Sequence, residues 1–308
     1  MYYLPVNNFM VQAQSFLPTW HRGISHYQVK LGIVMGLLGL HLFPAKVCWA
    51  EEGYFNSDGV QIHYVQAGSG QAVVLIHGWM ASAKMWGTEQ RGNSIFWSLS
   101  KNFHVIAMDC RGHGLSDKPH DPKAYGCAMP LDVVRLLDHL HIQQAYLIGY
   151  SMGAILTGKI VASYPQRVLG AIFGGGAPVV RWGPEDLKQN DAFLEKWQKD
   201  RGLQELSALL FGVPDRTALV MANQSLREIT VKESELRRFK GPILFLYGDR
   251  DSEATRHYVE AARQAFGHGD IRVVPGADHF STPMKPEFLR MILSFLDRVE
   301  TPSKDRNY

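Results

Sequence analysis

Short apolar runs, separated by helical stretches, are the feature that most limits what this chain can fold into. Strand-like runs lie at 60–66, after the Asp58-Gly59 turn, and at 73–77, 104–109, 145–150, 168–173, 242–247 and 271–274. Apolar runs of that length suit parallel strands buried on both faces. A helix is expected over 131–140, with Leu131, Val134, Leu137 and Leu140 on one side. Alternating strands and helices imply a parallel sheet covered by helices on both faces, joined by short right-handed connections. The 308 residues suffice for one domain of about 250 residues without requiring a second. More than sixty residues part the run ending near Gly174 from the one beginning at Pro242. A structureless loop of that size is uncommon. Its stretches 184–200 and 203–211 are rich in helix formers, and Pro184 followed by Glu185 and Asp186 is a helix-start signal. A small helical cap is therefore expected at about 178–240.

The chemistry centres on Gly149-Tyr150-Ser151-Met152-Gly153, between the strand at 145–149 and a helical run at 154–163. A sharp strand-to-helix turn strains its central residue and needs small neighbours, which Gly149 and Gly153 supply. It would lift the Ser151 hydroxyl above the sheet at a helix N-terminus. A hydroxyl needs a base to become a nucleophile. His279 follows the last strand, the only one of 13 histidines so placed. That base needs a carboxylate to orient it. Asp249 and Asp251 both follow the strand at 242–247, and the Gly-x-x-Asp spacing from Gly248 favours Asp251. The preceding strand end, Phe173-Gly174-Gly175-Gly176-Ala177, has no carboxylate. An oxyanion needs two backbone N–H donors. Met152, after the nucleophile, and Trp79, after the His77-Gly78 turn, are the candidates, with His77 holding the loop. Met85, Trp86 and the cap residues Leu194 and Trp197 are candidate walls of an apolar pocket, although core packing would account for the cap pair equally well.

With Asp109-Cys110-Arg111-Gly112-His113-Gly114-Leu115-Ser116-Asp117 added to these motifs, residues 54–180 and 240–296 resemble the α/β-hydrolase superfamily, of the serine esterase kind. The resemblance implies the α/β-hydrolase fold: a mostly parallel eight-stranded sheet with helices on both faces and a small helical cap. It also implies the Ser151, Asp251, His279 order of a triad, and reads the charges of 111–117 as structural. Ala154 stands where the family often has glycine, and a small residue is kept. The expected activity is cleavage of a carboxylic ester with a small to medium acyl group through an acyl-enzyme, without a cofactor. A thioesterase, lactonase, carbon–carbon bond hydrolase or cofactor-free haloperoxidase would keep the same residues. Dehalogenases and epoxide hydrolases of this fold would place an aspartate at 151. A non-catalytic ligand-binding member is the alternative of another class, disfavoured by the intact triad.

Charge and cysteine content narrow the remaining classes. Residues 1–50 carry Arg22, Lys30 and Lys46 and no acid, so the net charge of +3 resides there. With no basic stripe elsewhere, nucleic acid is not an expected partner. The apolar run at 31–43, its weakly basic flank and small residues before Glu51 read as a secretory signal, which makes 51–308 the mature domain. Export to a periplasmic or extracellular space is expected, and an uncleaved membrane anchor and a cytosolic extension are the alternatives. The run is short for a membrane-spanning helix of about 20 residues. Cys48 would leave with the signal, and Cys110 and Cys127 could be bridged or free. His113 has no Cys or His at ligand spacing, so no metal is expected.

Overall fold

A computed structural model of the chain describes residues 50–89, 94–211 and 215–301. The expected targeting segment falls outside these residues, apart from Ala50. No described helix is long and apolar enough to cross a membrane.

Eight strands build one sheet: β1 (Glu51–Ser57), β2 (Val60–Ala67), β3 (Ala72–Ile76), β4 (His104–Met108), β5 (Ala145–Tyr150), β6 (Val168–Gly174), β7 (Ile243–Gly248) and β8 (Asp270–Val274). Their order is β1-β2-β4-β3-β5-β6-β7-β8. β1 and β2 pair antiparallel, as do β2 and β4, and every other pairing is parallel. The α/β-hydrolase fold expected from the sequence is thus present. β1 has no counterpart among the expected strands. Its sequence, Glu-Glu-Gly-Tyr-Phe-Asn-Ser, buries only Phe55 and Ser57, as suits an edge strand.

Side-chain alternation divides the core into two layers. Val73, Leu75, Tyr146, Ile148 and Tyr150 face one layer with α1 (Ile95–Leu99) and α9 (Pro286–Glu300). Val74, Ile76 and Leu147 face the other, with α2 (Ala128–His139), α3 (Met152–Ser163) and α8 (Glu253–Phe266). The α2 helix covers all of the expected 131–140 except Leu140, which is its C-cap, and begins three residues earlier, at Ala128, with Cys127 as its N-cap.

Between β6 and β7 the chain forms α4 (Pro184–Lys199), α5 (Arg201–Phe211), α6 (Arg216–Ser225) and α7 (Glu233–Leu236). Asp186 starts α4 by accepting the Gly183 N–H at 3.0 Å. The segment is tied to the sheet side by the Lys159 ammonium donating to the Thr230 carbonyl at 2.9 Å and by Val231 N–H donating to Val179 O at 3.0 Å.

One buried ion pair joins three elements. Arg111, in the loop after β4, donates from Nε and Nη2 to the two carboxylate oxygens of Asp132 on α2, at 2.7 and 2.5 Å. Ser57 at the end of β1 donates to the same carboxylate at 2.5 Å. Both charged side chains are buried, so removing one strands the other. Asp132→Ala is expected to cost about 3–5 kcal/mol of unfolding free energy in urea denaturation. Ser57→Ala, which leaves the pair intact, should cost about 1 kcal/mol.

Candidate active site

The start of α3 is pressed so closely against the ends of β5 and β3 that the elbow admits only glycine at 149 and 153, on either side of Ser151. A Cβ on Gly149 would sit 2.1 Å from the Gly153 carbonyl oxygen, and one on Gly153 would sit 2.1 Å from that of Ile76. Ser151 itself adopts φ 53°, ψ −112°. Positive φ in a residue with a Cβ costs about 1–3 kcal/mol. Its N–H donates to Gly174 O at 2.7 Å and its carbonyl accepts from Ala154 N at 2.9 Å, so both flanks of the turn are tied.

The structure brings Ser151, His279 and Asp251 together. His279 Nε2 lies 3.0 Å from Ser151 Oγ, and Nδ1 lies 3.2 Å from each Asp251 oxygen. The carboxylate can only accept, so Nδ1 carries the proton and Nε2 is free to take the one on the serine. Asp251 is buried and also accepts the Ser252 N–H at 2.8 Å. The second candidate, Asp249, does different work. It is exposed and accepts the N–H groups of Gly276 and Ala277, at 2.9 and 3.1 Å. The Gly276 bond leads in holding its carboxyl below the usual range. Asp249 thereby ties the loop before His279 to the end of β7. Asp278 braces the other side, accepting from Phe280 N, Ser281 N and Ser281 Oγ at 2.7–3.1 Å.

The loop after β3 lies beside the serine. A Cβ on Gly78 would stand 3.4 Å from Ser151 Cβ, which places the Gly78-Trp79 turn against Ser151. Met152 is the first residue of α3, where an N–H has no acceptor within its own helix. His77 links this turn to the next loop. Its Nδ1 donates to Gly78 O at 2.7 Å and its Nε2 accepts from Cys110 N at 3.0 Å. Burial leads in lowering its pKa, and the bond from Cys110 N–H holds the ring's orientation.

Of the pocket candidates, Trp197 and Leu194 on α4 are buried. Trp197 meets the Trp79 ring edge-on at 5.0 Å, and Trp79 Nε1 donates to Leu219 O on α6 at 2.8 Å. The helical segment thus packs directly on the turn beside Ser151. Phe193, which the sequence does not single out, also meets Trp79, at 5.7 Å. Trp86 corrects the expectation. It follows the Trp79 turn, but the short 3-10 helix there (Ala83–Trp86) sends it into the core layer of α1 and α9, where it is 1% exposed and core packing accounts for it. Met85 is partly buried against the same layer.

Cys110 is buried, Cys127 is exposed and both are free thiols. His113 donates from Nδ1 to Arg111 O at 3.0 Å, and burial followed by the nearby His77 pushes its pKa down to about 3. No group of three His, Cys, Asp or Glu suited to a metal ion occurs among the described residues.

Asp109 holds the surrounding loops. Its buried carboxylate accepts from Ala83 N at 2.6 Å, Leu115 N at 2.8 Å and His63 Nδ1 at 2.9 Å. Burial raises its pKa, but the His63 bond, the His77 ring and the two N–H groups outweigh it and hold the carboxyl below its usual value. A depressed folded-state pKa stabilises the fold above the ordinary carboxylate pKa of about 4, and the benefit is lost as pH falls through the folded value. Asp109→Asn is expected to lower stability at neutral pH by about 2 kcal/mol. It should also flatten the loss of Tm between about pH 5 and 3, measured by thermal melts across that range.

The sequence matches the family described as "Alpha/beta hydrolase family" over residues 73–289. It is 25% identical over 269 residues to a pimeloyl-[acyl-carrier protein] methyl ester esterase of Yersinia enterocolitica, covering 78% of this chain and 99% of that protein. It is 24% identical over 271 residues to mouse epoxide hydrolase 3, covering 75% of this chain and 72% of that protein. Some other curated relatives are matched over half of their own length or less. Among solved structures, a carboxylesterase of Nitrososphaera gargenis superposes with a TM-score of 0.70 at 23% identity, covering 80% of this chain and 99% of that one. With a family match that spans most of the chain and a mostly parallel eight-stranded sheet, this protein belongs to the alpha/beta hydrolase family.

Proposed function

We propose that this hydrolase cleaves a carboxylic ester with a small to medium acyl group, using Ser151 as nucleophile, His279 as general base and Asp251 as the group that orients it. The observation that carries the reading is the placement of one imidazole, with Nε2 3.0 Å from Ser151 Oγ and Nδ1 against Asp251. His279 takes the serine proton as Oγ attacks the carbonyl carbon. The imidazolium so formed is stabilised by Asp251. The Trp79 and Met152 N–H groups receive the oxyanion. Collapse expels the alcohol, which leaves with the proton from His279. Water, deprotonated by the same histidine, then releases the acid and restores Ser151. The balance closes without a cofactor.

The likeness to an epoxide hydrolase is carried by the shared scaffold. Ser151 stands where epoxide opening on this fold would call for an aspartate. The helical segment resting on Trp79 is the part of the chain placed to select the acyl group. Thioester, lactone or carbon–carbon bond cleavage and cofactor-free haloperoxidation would use the same three residues, and substrate trials separate them.

The test is turnover of chromogenic acyl esters of increasing chain length. Short and medium chains should be cleaved, and folded Ser151→Ala should fall to background. Asp251→Asn should lower kcat by about 10³–10⁴-fold. Asp249→Asn, which loosens a loop but leaves the orienting carboxylate, should lower it by less than about tenfold. Retained turnover in Ser151→Ala, or equal losses in the two aspartate variants, would overturn the assignment.

A further inference from the structure

We propose that Tyr150 is a positioning residue for the general base: its hydroxyl ties the backbone of His279 to the residue next to the nucleophile. The inference rests on the reading of Ser151 and His279 given above. Tyr150 ends β5 with its side chain in the layer of α1 and α9, 4% exposed. Its hydroxyl donates to the His279 carbonyl oxygen at 2.5 Å, and its ring centroid lies 5.6 Å from the imidazole. The nucleophile and the base come from loops 128 residues apart. One side chain, a single peptide unit from Ser151, thus closes a short mechanical circuit between them.

The ring's seat is built for it. Phe288 on α9 meets it edge-on at 5.9 Å. At the end of β6, a Cβ on Gly174 would stand 2.8 Å from the tyrosine ring, and one on Gly175 would stand 2.7 Å from it. Gly175 also has φ +56°, which disfavours any other residue there. The Gly-Gly-Gly stretch at 174–176, which reads in sequence only as a strand end without a carboxylate, therefore includes the slot for this ring.

The other anchors of the His279 loop leave its peptide carbonyl untouched. Asp249 holds Gly276 and Ala277, Asp278 holds Phe280 and Ser281, and the Asp278 carbonyl accepts from Thr282. They fold the loop on both sides of His279. The imidazole is partly exposed and lies 3.2 Å from both Asp251 oxygens, so Asp251 alone is a loose clamp. Burial first, and the charge of Asp251 second, push the Tyr150 phenol well up, so it remains a donor wherever the histidine works.

The experiment compares wild type with Tyr150→Phe, with every rate normalised to sites titrated by a fluorophosphonate, which discounts unfolded molecules. Tyr150→Phe is expected to label at Ser151 to completion but more slowly. Its kcat per titrated site should fall about tenfold or more while KM stays within about twofold, because a misplaced base slows chemistry without altering ground-state binding. Placing 4-aminophenylalanine at 150 restores a donor at the same ring position and should recover most of the rate. Tyr146→Phe, which removes the hydroxyl of another β5 tyrosine bonded to Glu300 and away from the site, should leave kcat per site near wild type. Unchanged kcat per site in Tyr150→Phe would overturn the proposal, as would equal losses in Tyr150→Phe and Tyr146→Phe. Wild-type protein that takes no label would overturn the hydrolase reading instead, so the two failures are distinguishable.

Discussion

The backbone of Ser151, held at φ 53° where a side chain is disfavoured, is the constraint on which the rest of the structure depends. A strained residue persists only where its surroundings over-determine it. Here Gly149 lets β5 approach α3, and Gly153 lets α3 approach the end of β3, until any Cβ would strike backbone. The bond from Ser151 N–H to Gly174 O then pins the turn to β6. Relaxing φ would break that bond and turn the hydroxyl away from His279. The strain is thus paid back in position: the serine stands at the carboxyl edge of the parallel strands, on the first turn of a helix.

Loops after β3, β7 and β8 meet at that point and the loop after β4 joins them through His77, each held by its own short network. The turn after β3 is fixed by His77, the loop after β4 by Asp109 and Arg111, and the loop after β7 by Asp249 and Asp251. The loop after β8 is fixed by Asp278 and the Tyr150 hydroxyl. Most of these are carboxylates accepting backbone N–H groups, which suits irregular segments that lack a ladder to satisfy their polar backbone. The division of labour between neighbouring aspartates follows from this. Asp249 faces the next loop and serves as its anchor, whereas Asp251, two residues on and buried, reaches the imidazole.

How much of this could be read beforehand depends on how local the signal is. β5 and the elbow are legible because an apolar run, two glycines and a serine lie within a few residues of one another. Asp251 and His279 are legible because each lies within a few residues of the end of a strand-like run. β1 is not, because Glu51, Glu52 and Asn56 on an edge strand give no apolar run and its partner supplies the pairing. Trp86 is misread because one short helical turn decides which face of the sheet it enters. Tyr150 occupies an unspecified position of the elbow motif. Its bond to His279 exists only once β5 and the loop after β8 are adjacent, and no spacing in the chain announces that.

Covalent capture at Ser151 tests the central claim, that it is the nucleophile, most directly. A fluorophosphonate should add stoichiometrically to the folded protein, and digestion with mass spectrometry should place the phosphonyl group on the Ser151 Oγ. The Ser151→Ala protein, folded with the same melting behaviour, should take none. A label found on another residue, or labelling that persists in Ser151→Ala, would contradict the account.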